Sequence, residues 1–444
     1  MGIALIKKIN EKTPYWLKKP FAGIIRKQLI NNKVFQETYQ LLLEVDSMSV
    51  EEKKKIQLTE LKKTLIHAYE HTTYYHELFD LYKFEPYKVE AIEELEKLPV
   101  LRKDVFKVRF PDFLADDIDD SYLVTTGGTS GEPTKVQMEK NAIYREWAFI
   151  YHFWSFYGYD YQVSKLATFR GVEQGSRISE VNPLYQEIRM NPFKMSGLNI
   201  DEYNKKIREY GADFIYGYPS AIYNYCLLNK KKKNDISGYY KAALLISENL
   251  YPFQEDLITT ILNCPLVMFY GHSERAAFAE KSVRGYSFDR LYGVTEISQN
   301  SEPIVTGFIN HKMPLIRYLI DDKVISLEND YYEIIGHHDA EVLYGKDGEQ
   351  VSMAAINFHD DTFDGISGYQ FIQNEMGKCC VHVTADEPLS KQKINKLSNN
   401  IRRKLGKGFE CNIEYVDVLE STPRGKYRML IQNVKLERLE QQER

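Results

Sequence analysis

Residues 122–136 read Tyr-Leu-Val-Thr-Thr-Gly-Gly-Thr-Ser-Gly-Glu-Pro-Thr-Lys-Val: a short apolar run opening into a loop dense in glycine and hydroxyl residues and closed by a lysine. Gly127, Gly128 and Gly131 let the backbone bring successive N–H groups close to an anion. Thr125, Thr126, Thr129 and Ser130 add donors without bulk, and Lys135 adds a point charge. These residue types at this density are suited to holding phosphate. The spacing is not G-x-x-x-x-G-K-[ST], so a Walker-type loop is excluded.

Three further strings follow in order. Tyr270-Gly271-His272-Ser273-Glu274 comes after the apolar run Pro265-Leu266-Val267-Met268-Phe269. Met313-Pro314-Leu315-Ile316-Arg317-Tyr318-Leu319-Ile320-Asp321-Asp322 comes next, and Pro423-Arg424-Gly425-Lys426 lies near the C-terminus. With the loop, this set resembles the adenylate-forming enzymes, the superfamily of acyl-CoA synthetases and related ligases. It is most similar to their phenylacetate-CoA ligase-like branch and to the CapK-like proteins of capsule biosynthesis. Softer likenesses stand at Leu98-Pro99-Val100-Leu101-Arg102-Lys103 and Gly217-Tyr218-Pro219-Ser220, so the resemblance runs from roughly residue 60 to residue 430.

The resemblance implies ATP and Mg²⁺ as cofactors, a small-molecule carboxylic acid as substrate, and coenzyme A or an amine or hydroxyl on a sugar as acceptor. In-line attack of a carboxylate on a phosphate brings two anions together and needs positive charge and fixed donors. Thr126, Gly127, Gly128, Thr129, Ser130, Gly131 and Lys135 would hold the β- and γ-phosphates. Glu274 would hold the metal, and Tyr270, Gly271, His272 and Ser273 would lie at the nucleotide, with Ser247 and Glu248 nearby. Asp322 would accept from the ribose hydroxyls, with Arg317 supporting the same site. Lys426 would meet the substrate carboxylate and the α-phosphate, then withdraw with its domain for the second half-reaction.

Two departures accompany the likeness. Gly336-His337-His338-Asp339-Ala340 stands where the family writes Gly-Arg-x-Asp-Asp, exchanging a bidentate, permanently charged arginine for an imidazole at the hinge of His337 and Asp339. Ile320-Asp321-Asp322 stands in place of Thr-Gly-Asp. A second Y-G-x-T-E string, Tyr292-Gly293-Val294-Thr295-Glu296, matches more literally than Tyr270–Glu274. It continues into Ile297 within an expected strand pair, whereas the earlier copy sits where a strand ends, the position ligands prefer in α/β sheets. Glu274 is therefore the expected metal ligand.

The elements that must position these residues alternate in α/β style. Apolar residues between Val34 and Phe79 recur at three and four, as in Leu58, Leu61, Leu65 and Ala68, which predicts helices. Asn141–Tyr157 reads as an aromatic helix whose rings are mostly core. Asp201–Tyr210 reads as a helix, Phe214-Ile215-Tyr216 as a strand, and Pro219 as the first turn of another helix. Leu244-Leu245-Ile246 and Pro265–Phe269 read as buried strands, and Lys230-Lys231-Lys232-Lys233 as a solvated loop. Strands separated by helices imply a mostly parallel sheet. From about Asp330 the pattern changes to short strands and turns with one helix near Lys391–Leu405. The expected fold is α/β, with a large N-terminal domain over residues 1–335 and a small mobile α+β domain over 336–444.

Composition bounds the function. The chain has 444 residues, enough for two domains, and carries 58 basic against 63 acidic residues, which gives no reason to expect nucleic acid as a partner. Five cysteines (Cys226, Cys264, Cys379, Cys380, Cys411) lack C-x-x-C spacing and argue against a disulfide framework or structural zinc. No apolar stretch approaches the ~20 residues of a membrane helix, and Met1–Ile6 makes a poor signal peptide, so a cytoplasmic setting is expected. Residues 1–33 stand apart, with eight basic residues and one acid among apolar ones. Such a segment packs on its own domain or rests on an anionic lipid surface, here the inner face of the membrane. Three function classes follow: an AMP-forming carboxylate ligase, an ATPase or nucleotidyltransferase using the same loop, and a catalytically weak nucleotide-sensing homologue.

Overall fold

A computed structural model describes residues 26–125, 135–170, 177–250, 252–337, 342–346, 350–352, 366, 368–385, 387, 389–406, 408–417, 419–420 and 428–434. Residues 126–134 of the glycine-rich loop, His338, Asp339, Lys426 and residues 1–25 of the basic segment lie outside the described residues.

The helical periodicity after Val34 resolves into three helices: α1 (Lys33–Val45), α2 (Val50–His71) and α3 (Thr73–Tyr82). Each starts where a side chain satisfies an orphan N–H. Asn32 accepts from Phe35 N, Ser49 and Glu52 close a capping box, and Thr72 accepts from Tyr75 N. Two strands follow, β1 (Ser121–Thr125) and β2 (Lys135–Glu139), paired antiparallel with Ser121 opposite Glu139 and Thr125 opposite Lys135. The residues flanking the glycine-rich loop, Thr125 and Lys135, are thereby fixed side by side. Helix α4 (Ala142–Ser155) comes next and buries Tyr144, Phe149, Phe153 and Trp154 as expected. It packs on α1, where Phe35 meets Tyr161 edge-on at 5.0 Å and Tyr151 at 6.0 Å.

The chain then builds one large sheet from β3 (Leu166–Phe169), β4 (Ser179–Asn182), β5 (Glu187–Met190), β6 (Phe214–Gly217), β7 (Ala243–Leu245), β8 (Leu266–Gly271), β9 (Phe278–Ser282) and β10 (Gly285–Phe288). After an antiparallel sheet of β11 (Gly293–Ile297), β12 (Pro303–Gly307) and β13 (Tyr318–Leu319), the strands β14 (Asp322–Ser326) and β15 (Tyr332–His337) rejoin it. The strand order is β14-β15-β10-β9-β8-β7-β6-β3-β5-β4. Only the centre, β5-β3-β6-β7-β8, is parallel; both flanks are antiparallel. At its middle, Ala243-Leu244-Leu245 is the continuous apolar run of a strand buried on both faces. Helices α5 (Ile200–Tyr210), α6 (Pro219–Lys232) and α7 (Pro252–Leu262) supply crossovers.

Two details correct or sharpen the expectations. Lys230–Lys232 are not a loop but the last turn of α6, where cations complement the negative end of the helix dipole. Gly217 has φ +154, and a Cβ there would stand 2.0 Å from Phe169 O, so only glycine fits where β6 passes β3.

Strand β15 runs through His337. Beyond it, β16 (Val342–Tyr344) and β17 (Gln350–Ser352) form a hairpin, and β18 (Gly368–Glu375), β19 (Lys378–Thr384), β20 (Glu410–Tyr415) and β21 (Leu430–Gln432) form a four-stranded sheet in the order β20-β19-β18-β21. Helix α8 (Lys391–Leu405) buries Leu397, Ile401 and Leu405 against Phe371, Val381 and Val383, giving this smaller α+β unit its own core. Cys379 and Cys380 lie in β19, as their apolar neighbours imply.

Candidate active site

Parallel strand β8 carries Tyr270 and Gly271 at its end, so the Tyr270–Glu274 string emerges at the carboxyl edge of the sheet centre. Tyr270 donates its hydroxyl to Asp322 Oδ2 at 2.5 Å, which brings the two strings together although 52 residues separate them. Burial and the carboxylates of Asp322 and Glu274 push the Tyr270 hydroxyl well above its ordinary range, so it stays a proton donor. Asp322 is 9% exposed.

Glu274 is buried. Its Oε2 accepts from His272 Nδ1 at 3.1 Å and its Oε1 from the Tyr318 hydroxyl at 3.3 Å. Burial raises its carboxyl, but the hydrogen bond and charge of His272, its own backbone N–H and the Lys103 ammonium outweigh that and bring it down to about 2. The result is a carboxylate that stays ionised in a largely dry place. The carboxylate has about four lone-pair positions and, among the described residues, accepts from His272, Tyr318 and its own backbone N–H, so acceptor capacity is left over. A hard oxygen donor of this kind suits Mg²⁺. His272 Nε2 is buried and has no hydrogen-bond partner among the described residues, so it offers a further contact.

The second copy of the motif is built differently. Glu296 lies inside β11, paired with β12, and receives Arg317 Nε at 3.1 Å and a terminal nitrogen at 2.7 Å. The other terminal nitrogen of Arg317 bonds to Leu98 O. Arg317, expected to support the ribose site, places one hydrogen bond from each guanidinium nitrogen on Glu296 or Leu98 O. The backbone continues the stitch, with Leu101 N donating to Arg317 O at 2.8 Å and Leu319 N to Leu101 O at 3.0 Å. The softer likeness at residues 98–103 thus lies against Arg317–Leu319.

Other expected residues are placed as follows. Lys135 opens β2, exposed, at the foot of the loop. Ser247 follows β7 with φ +63, and Glu248 Oε2 accepts from Ser220 N at 3.1 Å, capping the first turn of α6. Backbone pairing sets His337 opposite Asp322. Three residues near the site escaped the sequence reading: Tyr318, which holds Glu274; Lys103, which pairs with Asp321 and also acts on Glu274; and Arg275. Arg275 donates to Glu146 Oε2 at 2.7 Å and to the Tyr122 hydroxyl at 2.8 Å, tying the string to α4 and to the strand that leads into the loop. Tyr318 and Lys103 sit inside strings already singled out; the hydrogen bond of the one and the charge of the other on Glu274 distinguish them.

A family model described as the CapK C-terminal domain matches residues 343–433. Protein CapK of Staphylococcus aureus is 24% identical over 371 residues, covering 78% of this chain and 82% of that protein. Among solved structures, 2-hydroxyisobutyryl-CoA ligase in the postadenylation state with 2-HIB-AMP superposes with a TM-score of 0.62 at 16% identity, covering 87% of this chain and 90% of that one. The same ligase with 2-HIB-AMP and CoA in the thioesterification state gives 0.50, at 16% identity and 87% and 91% coverage. The fold is that of the adenylate-forming CoA ligases. The C-terminal unit matches the CapK model, and most of the chain is similar to the staphylococcal protein. Among the described residues no helix is long and apolar enough to cross a membrane.

Proposed function

We propose that this protein activates a carboxylic acid with ATP, releasing pyrophosphate and forming an acyl-adenylate, and then transfers the acyl group to coenzyme A or to an amine or hydroxyl of a sugar intermediate. The observation that carries the reading is Glu274, an anion kept ionised in a buried position beside the Tyr270–Asp322 pair. Bound there, Mg²⁺ would neutralise phosphate charge. The loop Thr126–Gly131 with Lys135 would hold the β- and γ-phosphates. Tyr270 and His272 would lie against the base, Ser247 would stand near it, and Asp322 would accept from the ribose hydroxyls while Tyr270 fixes its orientation. Lys426 would offset charge at the α-phosphate.

The complexes of 2-hydroxyisobutyryl-CoA ligase with an acyl-AMP and CoA support the two half-reactions. The likeness to CapK supports a place in capsule or surface polysaccharide synthesis. The cytoplasm is the setting that fits ATP and coenzyme A. Peripheral contact of residues 1–33 with an anionic membrane face rests on their net basic, apolar-studded sequence; Arg26 itself is turned inward, onto Tyr161 O and Leu184 O. The test is a pyrophosphate-release screen over aryl, fatty and amino acids with hydroxylamine as acceptor. AMP and pyrophosphate are the expected products; ADP and inorganic phosphate would replace this reading with an ATPase.

A further inference from the structure

Away from the site just described, helix α2 and the segment entering β1 bring together two imidazoles and two carboxylates. His67 and His71 lie one helical turn apart, on the same face of α2. Asp117, four residues before β1, approaches both: His67 Nε2 is 3.2 Å from its carboxylate and His71 Nε2 is 3.8 Å from Oδ2. One ligand atom from each of the three residues lies within 4.8 Å of the other two. A tetrahedral zinc ion, with bonds of about 2.0–2.2 Å to nitrogen and oxygen, separates its ligand atoms by roughly 3.3 Å. The two distances to Asp117 fall close to that value and the ligand atoms of the two imidazoles lie within 4.8 Å of each other, so side-chain adjustments would close the set.

A second feature points the same way. His71 Nδ1 faces Asp116 Oδ1 at 2.9 Å. A metal-bound histidine characteristically donates its other ring N–H to a carboxylate, which fixes the tautomer and aims the free nitrogen at the ion. Here the carboxylate is on the Nδ1 side and the candidate site on the Nε2 side. Asp116 N also donates to His71 O at 3.0 Å, so backbone contact already holds the two segments in place.

We propose that His67, His71 and Asp117 bind one divalent transition-metal ion of the zinc class, with Asp116 orienting His71 from outside the coordination sphere and water completing the shell. The ion cross-links α2 to the base of the β1–β2 hairpin, at the end where Ser121 pairs with Glu139 and away from the phosphate loop between Thr125 and Lys135. It is separate from the Mg²⁺ assigned to Glu274.

The test uses the full chain, stripped with chelator and dialysed. Zn²⁺ is titrated by calorimetry, and Co²⁺ serves as an optical probe of tetrahedral geometry. One equivalent is expected, retained in Glu274→Gln and in Cys380→Ser. The latter removes a member of the other described group of clustered potential ligands, Cys380, His382 and Glu414. His71→Gln and Asp117→Asn each lose at least tenfold in affinity. Asp116→Asn, at a largely exposed carboxylate, keeps every ligand and weakens binding tenfold to a hundredfold, which keeps the test open should His71→Gln fail to fold. Absence of uptake by the unaltered chain, uptake indifferent to Asp117→Asn and Asp116→Asn, or loss on Cys380→Ser would each overturn the proposal.

Discussion

Glu274→Gln and Glu296→Gln form a pair whose outcomes should cross. The surroundings of Glu274 hold its carboxyl at about 2 against an ordinary value near 4.5, which corresponds to roughly 3 kcal/mol in favour of the anion. Glutamine keeps the shape and one acceptor but forfeits the charge. If that charge holds Mg²⁺, adenylation per folded molecule falls between tenfold and about a hundredfold, in addition to the stability lost with the anion. Glu296 instead pairs with Arg317 through two hydrogen bonds, in a place where their side chains are 20% and 10% exposed. Removing one partner of such a pair leaves a charge uncompensated; with Leu98 O still bonded and one amide oxygen left, the loss is about 2–3 kcal/mol of stability. The rate per folded molecule should stay within about twofold of the unaltered protein, since the change costs folding rather than chemistry. Pyrophosphate release and urea unfolding on both variants decide the matter. A large catalytic loss in Glu296→Gln at unchanged stability, with Glu274→Gln active, would mean that the metal belongs to the other copy of the motif.

Lys426→Ala should abolish formation of the acyl-adenylate yet leave transfer from a supplied acyl-adenylate largely intact, whereas Asp339→Pro, which restricts φ at the expected pivot, should do the reverse; equal slowing of both steps by Lys426→Ala would refute alternation. Gly217→Ala should cost more than about 2 kcal/mol or prevent folding, because its Cβ would collide with Phe169 O, and denaturant melts would show it. Burial and the carboxylates of Asp289 and Asp46 push the Glu280 carboxyl up to about 8, against a smaller opposing effect of Lys53. The folded chain therefore keeps a proton that the unfolded chain releases, and stability falls as pH rises from about 4.5 towards 8. Glu280→Gln should melt higher than the unaltered protein at pH 8 and lose that advantage at pH 5. Glu274 runs the other way: its contribution is present above the ordinary carboxylate range and disappears as pH falls towards 2.

Much of this was legible in the sequence because local chemistry and global fold agree. Ser49–Glu52 announces a helix start, Pro219 a first turn, and the run Ala243-Leu244-Leu245 a strand buried on both faces. The strand context of the two Y-G-x-[ST]-E strings was legible too: Glu296 sits within a strand pair, and Glu274 just beyond the end of a strand. What failed were inferences from side-chain type alone. Four lysines look like a solvated loop, but three of them extend α6 because their long stems reach water from a helix end. The partner of Arg317 was hidden as well: its guanidinium meets Glu296, a carboxylate 21 residues upstream in the second copy of the motif. Pairings of this kind depend on which strands become neighbours, and the antiparallel flanks of the sheet, β9, β10, β14 and β15 on one side and β4 on the other, carried no such signal.

The register of β14 against β15 has a bearing on how parts of this chain could be exchanged. Asp322 and His337 are cross-strand partners, so the carboxylate proposed to meet the ribose shares a ladder with the last residue before the C-terminal unit. A turn of that unit about the chain cannot begin upstream of His337 without unzipping the ladder on which Asp322 sits. In the proposed alternation the strand would be the fixed mount of a lever, with the fulcrum after it. Grafting the C-terminal unit of a relative onto this chain would therefore preserve the ribose carboxylate only when the crossover lies beyond His337. A seam placed before Tyr332 would take the mount away with the arm.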